Sequence, residues 1–248
     1  MQEDSDLTIL HGDERFDELV TKVQKILNEL EQGLPTEHNE LAIIELPEPA
    51  YNSDTSIEKA LKERRSIRKY NDEPLSISEI SQILWAAYGI TKPIKDAPAF
   101  LRGGLKTAPS AGALYPLEIY VVAGNVTDLP AGVYKYNPEV HKLIKIADGD
   151  KRTELYKASL NQDWVKKAPA SIVYSAVFSR TTDRYGKRGR EKYVCMDLGH
   201  SAENIYLQAV SLNIGTVAIG AFYDTKVKVV VNMTNEEEPL YIMPLGKI

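Results

Sequence analysis

Three guanidinium groups and one hydroxyl lie within five positions of the chain, on Arg64, Arg65, Ser66 and Arg68. A guanidinium fork matches a phosphate in charge and geometry, and a hydroxyl adds a neutral donor. If this segment, here called the arginine run, leaves a helix in extended form, Arg64, Ser66 and Arg68 point to one side. The arginine run therefore predicts a site for a small phosphate. The alternative is a helix end whose arginines complement the helix dipole and stay solvated.

Two further segments combine small residues with glycine. The small-residue run, Pro109–Pro116, reads PSAGALYP, and the glycine run, Gly215–Phe222, reads GTVAIGAF. Small side chains let the backbone approach a flat aromatic ring closely, while its N–H groups remain available to polar atoms at the ring edge. Taken alone, the two runs are equally compatible with a tight loop before a strand and a glycine-broken strand edge.

Capping residues and apolar spacing predict the elements that position these runs. Ser56 is a good N-cap for a helix over Ile57–Glu63, and Ser76 with Glu79 forms a capping-box pattern for a second helix. A longer helix is predicted over Lys192–Leu212. Strands are predicted at Leu117–Ala123, Gly132–Tyr136, Lys142–Ile146, Ser171–Phe178 and Pro239–Leu245. This order predicts an α+β domain whose mainly antiparallel sheet is flanked by helices.

The chain is predicted to divide into an N-terminal region, residues 1–55, and a domain over residues 56–248. Apolar residues at spacings of three and four predict a helix over Asp13–Glu31, and the prolines of Glu37–Ser53 indicate an extended linker with weak internal structure. Thr91–Lys106, with two prolines and a Gly-Gly pair, is predicted to be a loop.

The composition of the chain excludes several classes of function and site. The formal net charge of -5 over 248 residues argues against a broad basic surface for nucleic acid. The single cysteine, Cys195, excludes an internal disulfide and a multi-thiolate metal site; we predict an inert buried thiol there and no metal site. No apolar run approaches the roughly 20 residues of a membrane span, and no secretory pattern is present. We expect a soluble cytoplasmic protein without nucleic-acid or membrane partners.

The three runs, together with DLGHSAENIYLQA over Asp197–Ala209, occur in the order found in the nitroreductase-like family of FMN flavoproteins. The resemblance covers about Ser56 to Ile248, and in detail these segments are most similar to the SagB-type branch, which includes dehydrogenases that oxidise azolines to azoles in modified peptides. The resemblance implies a nitroreductase-like α+β fold and a homodimer with FMN at its interface. The arginine run and the small-residue run would then come from different subunits.

The resemblance also implies which residues contact FMN. The phosphate and ribityl chain would be held by Arg64, Arg65, Ser66 and Arg68. The isoalloxazine ring would contact Pro109, Ser110, Ala111 and Gly112. The reactive N5 would receive a backbone N–H from the segment Ile219, Gly220 and Ala221. Lys247 lies where relatives place a second cation on the phosphate, the alternative being a solvated terminal lysine.

The chain departs from the family pattern at three positions. Many nitroreductases have Asn and Gln where this chain has Ala113 and Tyr115, and many have Glu where Gly220 stands. Side-chain contacts from these positions to the flavin edge are therefore not expected here.

Lys192 and Tyr193 are the predicted catalytic pair. SagB-type azoline dehydrogenases use an adjacent Lys and Tyr to remove the proton that accompanies hydride loss to FMN. An azoline C–H is a weak acid, so a positioned base matters, and a buried lysine with a lowered pKa can serve. The alternative is a helix start with a solvated lysine and a half-buried tyrosine. The nearby segment Arg180–Arg190 is predicted to be a mobile basic loop that guides an anionic substrate or is only solvated.

The leading hypothesis is an FMN-dependent oxidoreductase that passes hydride through flavin N5 by a ping-pong mechanism, with NAD(P)H-linked reduction of a small organic acceptor. The alternatives are an azoline dehydrogenase of peptide modification and a flavin-binding protein without turnover. Neither GxGxxG nor GxxxxGK[ST] occurs in the chain, so NAD(P)H would have to reach the flavin site directly. The sequence does not identify the hydride donor, the substrate or a partner enzyme.

Overall fold

The structure, a computed structural model, describes residues 42–248. The predicted helix over Asp13–Glu31 lies outside the described residues. In chain order the strands are β1 (Ile43–Glu45), β2 (Leu75–Ser76), β3 (Ile90–Pro93), β4 (Gly104–Lys106), β5 (Leu117–Ala123), β6 (Val126–Thr127), β7 (Gly132–Asn137), β8 (Lys142–Asp148), β9 (Ala170–Val177), β10 (Ile214–Thr216) and β11 (Glu237–Lys247). The helices are α1 (Ile57–Glu63), α2 (Ile77–Tyr88), α3 (Arg152–Ala158), α4 (Asp163–Lys167), α5 (Ser179–Arg188), α6 (Val194–Ser211) and α7 (Asp224–Val230), with short 3₁₀ turns at Ala99–Leu101 and Ala111–Ala113.

Seven strands form one antiparallel sheet in the order β1-β8-β7-β5-β9-β11-β10. Its two central strands, β5 and β9, are buried along their whole length because helices cover both faces of the sheet. One face packs against α2 and α6, through residues such as Ile83 and Ile205, and the other against α3, α4 and α7, through Leu155, Val165 and Val227. The predicted α+β fold with a mainly antiparallel sheet flanked by helices is confirmed.

The capped helices form as predicted. Ser76 Oγ accepts from the backbone N–H of Glu79 at 3.2 Å, and the Glu79 carboxylate accepts from the backbone N–H of Ser76 at 2.9 Å, which closes the capping box of α2. Ser56 caps α1 by accepting from the N–H of Lys59 at 3.2 Å. The central strand β5 has the predicted bounds.

Three predictions about irregular segments are wrong. Ile43–Glu45, inside the predicted linker, pairs with β8 and extends the sheet. The predicted loop over residues 91–106 contains most of an antiparallel pair, β3 with β4. The predicted mobile basic loop is largely the helix α5, followed by a π-helical turn, Gly189–Tyr193, that leads directly into α6. Among the described residues, no helix combines the length and the apolar character that a membrane crossing requires.

Candidate functional site

The arginine run lies beside β10, the strand at one edge of the sheet. α1 ends at Glu63, and Arg64 has the extended ψ of 126°, so the chain leaves the helix in extended form. Ser66 forms a parallel bridge with Thr216, and the N–H of Ile67 donates to the Thr216 carbonyl at 2.8 Å. This pairing fixes the arginine run against the start of the glycine run.

Tyr206 joins the arginine run to the glycine run. Its hydroxyl lies 3.1 Å from Ser66 Oγ and accepts from the backbone N–H of Ala218 at 2.8 Å. The Arg64 guanidinium lies over the Tyr206 ring, 5.2 Å from its centroid, and its Nε is 3.9 Å from the Glu203 carboxylate. Tyr206 belongs to the segment that carries the family resemblance, but its position inside a helix gave no sign of contacts with two distant runs. It is a site residue that sequence reasoning missed.

The remaining cations of the predicted phosphate site make other contacts. The Arg65 guanidinium donates to the carbonyls of Lys62 at 3.0 Å and Arg64 at 2.7 Å, and that of Arg68 lies 5.5 Å from the Trp164 ring centroid. The Lys247 ammonium is paired with Glu79. Arg64 and Ser66 thus meet at Tyr206. Arg65 lines a cavity of about 120 Å³ together with Tyr206, whereas Arg68 and Lys247 contact other partners.

The glycine run leaves backbone N–H groups open at its end. Ile219 is paired with Ile242 in both directions, at 2.9 and 3.0 Å, and beyond it Gly220 and Ala221 are exposed. Within the described part of the chain, no backbone or side-chain group accepts a hydrogen bond from the N–H of Gly220 or Ala221. A Cβ placed on Gly220 would meet only the Tyr241 ring, at 3.6 Å. The segment thus combines free donors with room for a flat ring.

The small-residue run is held on the N-terminal half of α6 by Asp197. Ser110 Oγ donates to Asp197 Oδ2 at 2.5 Å, and the N–H of Ala111 donates to Asp197 Oδ1 at 3.3 Å. One turn further along α6, His200 Nδ1 lies 3.3 Å from the Pro109 carbonyl oxygen. Asp197 is 2% exposed. Asp197 and His200 were not singled out as site residues, because neither shows in the sequence that its partner lies about 90 residues away.

The charge of Asp197 is balanced by hydrogen bonds. Burial raises the pKa of its carboxyl, while the hydrogen bonds from Ser110 and Ala111 and the proximity of His200 oppose that shift. Ser110 Oγ also accepts from the N–H of Tyr115 at 2.9 Å, so both ends of the loop are tied to one carboxylate. This arrangement fixes the backbone of the small-residue run against α6.

Gly112 lies where α5 packs against the small-residue run. Its φ of +63° is in the left-handed region that favours glycine. A Cβ at this position would lie 2.8 Å from the Tyr185 hydroxyl and 3.3 Å from a terminal nitrogen of Arg184. Both the backbone conformation and the close approach of Tyr185 therefore require glycine.

The predicted catalytic pair lies beside this same contact. Lys192 is exposed and Tyr193 half-buried, both in the π-helical turn that precedes α6. The Tyr193 hydroxyl accepts from Arg188 Nε at 2.9 Å, and its ring meets the Tyr185 ring edge-on, with 5.0 Å between centroids. Tyr193 is thus linked through Tyr185 to Gly112. Cys195, predicted to be buried, is exposed one residue into α6, so that prediction is wrong.

The two groups of predicted cofactor residues lie at different points along α6. Asp197 and Tyr206 are nine positions apart, about 13 Å along the helix axis.

The described residues also line a cavity of about 910 Å³ between α1, α2 and the C-terminal half of α6, with Tyr51, Trp85 and Gln208 among its lining residues. No predicted cofactor residue lines it. In the part of the chain that the structure describes, no three His, Cys, Asp or Glu side chains gather as a metal site requires.

Comparison with known proteins identifies the family. The model of the nitroreductase family matches residues 61–247. The chain belongs to the nitroreductase family. MJ1384 of Methanocaldococcus jannaschii, which carries the name nitroreductase, is 44% identical over 194 residues, 78% of this chain and 92% of that protein.

Two solved structures extend this result. A crystal structure of a protein named as a nitroreductase from Anabaena variabilis has a TM-score of 0.70 and 28% identity, and it covers 84% of this chain. This chain spans 42% of the length of that one. The microcin synthetase McbBCD of E. coli, solved with truncated pro-MccB17 bound, has a TM-score of 0.61 at 24% identity, over 90% of this chain and 82% of that one. Both neighbours share the fold of this chain.

Members of the nitroreductase family typically hold a flavin, and the residues present fit one. The Arg64 guanidinium and Ser66 hydroxyl lie together as a donor pair for a phosphate. The open N–H groups at Gly220 and Ala221 suit the polar edge of an isoalloxazine ring, and the space beside Gly220 suits its flat face.

Proposed function

We propose that this chain is an FMN-dependent oxidoreductase that passes hydride through flavin N5 in a ping-pong mechanism. One observation supports this above all: Arg64 and Ser66 share Tyr206 with the glycine run, whose N–H groups at Gly220 and Ala221 are open. An anion site next to open amides is what a phosphorylated, polar-edged ring needs. We infer NAD(P)H as hydride donor and a small organic molecule as acceptor.

The residues divide the work as follows. Arg64 and Ser66 would hold the phosphate, and the amides of Gly220 and Ala221 would orient the ring edge. Ser110, fixed by Asp197, would set the loop that lies against the ring. When bound, FMN supplies a site that accepts and returns a hydride. The donor loses that hydride, and an acceptor such as a nitro compound gains the hydride together with a proton.

We further propose that the complete site needs two copies of the chain. Within one chain the small-residue run and the arginine run contact α6 about 13 Å apart. Pairing two copies through their α6 helices would bring the small-residue run of one to the arginine run of the other. Three exposed apolar side chains on α1 and α6 suit such an interface: Ile57 and Leu61, 55% and 57% exposed, and Met196, 52% exposed.

A second candidate function is favoured by the position of Lys192 and Tyr193. Tyr193 contacts Tyr185, which lies against the loop proposed to face the flavin ring, and Lys192 precedes Tyr193 in the chain. A base there could remove a substrate proton as hydride leaves. Together with the similarity to the microcin synthetase, this supports an azoline dehydrogenase acting on a modified peptide. A flavin-binding protein without turnover is the third candidate.

The first experiment is the absorption spectrum of protein reconstituted with FMN and passed through gel filtration, before and after anaerobic addition of NADH or NADPH. Retained flavin that bleaches is the expected result. Loss of all flavin on gel filtration would overturn the proposal. Retained flavin that neither NADH, NADPH nor an azoline peptide bleaches would leave only the binding function.

Paired variants separate the two catalytic candidates. Lys192→Ala and Tyr193→Phe should leave the reduction of a nitro compound or quinone active if the chain is a general reductase. If it is an azoline dehydrogenase, both variants should lose azoline oxidation while they keep nitro reduction. Lys187→Ala, an exposed lysine of α5, is the control.

A further inference from the structure

Two arginines and two tyrosines form a cluster beside the small-residue run, here called the Arg–Tyr cluster: Arg184, Tyr185, Arg188 and Tyr193. The Arg184 guanidinium lies 5.4 Å from the Tyr185 ring centroid, and that of Arg188 lies 5.5 Å from the Tyr193 ring centroid. The two rings meet edge-on at 5.0 Å. The cluster therefore presents two cations beside a pair of perpendicular aromatic rings.

These two arginines have no carboxylate partner among residues 42–248, in contrast to three of their basic neighbours. Arg180 pairs with the buried Glu118 at 2.6 Å, which anchors the start of α5. Lys187 pairs with Glu191 at 3.3 Å, and Arg190 pairs with Glu238 at 2.6 Å. Within residues 42–248, three basic groups around the cluster are thus neutralised, while the two arginines of the cluster and Lys192 are not.

The charge stands out against the whole molecule. Residues 180–192 hold six basic and two acidic side chains, in a chain whose formal net charge is -5. A local positive field on a negatively charged protein attracts anions to one place. Arg184 and Arg188 are exposed. Arg188 Nε donates to the Tyr193 hydroxyl, while its terminal N–H groups and those of Arg184 have no partner among the described residues and can bind an oxyanion in a bidentate manner.

The cluster also lies next to the site of the proposed chemistry. Tyr185 and Arg184 are the side chains that a Cβ on Gly112 would meet, at 2.8 and 3.3 Å. Gly112 belongs to the loop proposed to face the flavin ring. An anionic group held by the cluster would therefore place the rest of a small molecule over that loop.

We propose that the Arg–Tyr cluster is the substrate-recognition site, and that the substrate is an organic molecule carrying a carboxylate or phosphate group. This inference rests on the proposed function for the reaction but not for the binding. The tyrosine rings of the cluster contact the flat part of the substrate, and Arg184 and Arg188 bind the oxyanion of the substrate.

The test uses FMN-loaded protein and three non-reducible probes of similar size: benzoate, phenyl phosphate and the neutral benzamide. Titration calorimetry should show that at least one of the two anions binds about tenfold or more tightly than benzamide. Comparison of the two anions identifies which oxyanion the natural substrate carries. Equal weak binding of all three probes would overturn the inference.

Variants assign the binding to the cluster. Arg188→Gln should weaken binding of the preferred anion about tenfold, and Arg184→Gln with Arg188→Gln should abolish the preference for an anion. Lys187→Gln removes the same charge from the adjacent position and should change binding less than twofold. An equal loss in Arg188→Gln and Lys187→Gln would show a diffuse field rather than a site, and would overturn the inference.

A kinetic pair connects the cluster to turnover. For wild-type protein, kcat/KM should be higher for 4-nitrobenzoate than for its methyl ester, and the ratio should fall about tenfold in the double arginine variant. Reduction of both compounds without any preference would contradict the recognition site while leaving the proposed function intact. Failure of the protein to retain FMN would contradict the proposed function, while anion binding to the cluster could still be measured with benzoate.

Discussion

The two halves of α6 hold the two cofactor runs by different physical means. In its N-terminal half, Asp197 is 2% exposed and ties down the small-residue run through hydrogen bonds from Ser110 and Ala111. In its C-terminal half, Tyr206 carries on its ring the Arg64 guanidinium, whose side chain is 34% exposed. One end therefore uses a buried charge that the fold itself satisfies, and the other presents a charge that the fold leaves accessible.

The difference indicates how each end takes part in function. A buried carboxylate without its donors is very unfavourable, so Asp197 and the loop it holds are coupled to folding. An exposed guanidinium over a ring contributes little to stability and remains available to a ligand. Changes at Asp197 should thus affect stability and cofactor binding together, and changes at Arg64 should affect binding alone.

The largest effect is expected from Asp197→Ala. This change leaves Ser110 Oγ and the N–H of Ala111 without their acceptor in a buried place, so the free energy of unfolding should fall by about 2–4 kcal/mol. FMN affinity should fall with it, because the loop loses its anchor. Urea unfolding followed by circular dichroism, and FMN titration, measure the two quantities.

Glu203→Ala is the matched control, since Glu203 is an exposed carboxylate on the same helix. It should change the free energy of unfolding by less than about 0.5 kcal/mol. Similar stabilities for Asp197→Ala and Glu203→Ala would show that the buried carboxylate does not organise the loop.

The next effect is expected from Arg64→Gln, at the other end of the comparison. FMN affinity should fall about tenfold, since a charge-assisted hydrogen bond to phosphate is lost, while the free energy of unfolding stays within about 0.5 kcal/mol of wild type. The salt dependence of FMN binding should also become weaker. Lys62→Gln, an exposed cation on α1, should leave both quantities nearly unchanged. A loss of stability as large as that of Asp197→Ala would remove the distinction between the two ends.

A smaller effect is expected from Tyr206→Phe, which keeps the ring under Arg64 and removes only the hydroxyl. Ala218 then loses the acceptor for its N–H, and Ser66 loses a partner. The free energy of unfolding should fall by about 1 kcal/mol and FMN affinity about fivefold. Unchanged FMN affinity would indicate that the hydroxyl does not join the arginine run to the glycine run. Tyr51→Phe, at an exposed tyrosine whose ring contacts Trp85, is the control.

Much of the fold could be predicted because its signals are local. The capping box of Ser76 and Glu79 involves residues three positions apart, and the apolar residues of β5 follow one another directly. The helix α5 was missed because Gly186, with φ of 55°, interrupts it and its surface is almost wholly polar. Strands β3 and β4 were missed because they are short, lie beside prolines and glycines, and lack the alternation of apolar and polar residues that indicates a strand.

The candidate site was predicted in part for the same reason. The residue types of the arginine run indicate an anion without any partner being known. Asp197 contacts Ser110, which lies 87 positions away in the chain, and Tyr206 contacts Ser66, 140 positions away. Only the packing of α6 in the fold brings these residues together. Sequence patterns in a single chain carry no information on such pairs unless a family resemblance supplies it.

The smallest effect concerns the charge of Asp197 alone, and Asp197→Asn isolates it. Burial raises the pKa of the Asp197 carboxyl above its ordinary value of 3.8, against the opposing hydrogen bonds. Because the pKa is higher in the folded protein, the unfolded chain releases this proton first as pH rises. The contribution of Asp197 to stability is therefore full below pH 3.8 and is lost as pH rises through the folded pKa. Asparagine has no such dependence, so wild type should lose stability relative to Asp197→Asn over this window.

Urea unfolding of both proteins at a series of pH values measures the difference, and contributions from all other titrating groups cancel in it. A difference that stays constant with pH would show that hydrogen bonds fully offset the burial of the charge. A difference of opposite sign would show that the donors from Ser110 and Ala111 outweigh burial, so that the ionised carboxylate itself stabilises the loop. In that case the N-terminal half of α6 would resemble the C-terminal half, with a charge that the site favours rather than one that the fold tolerates.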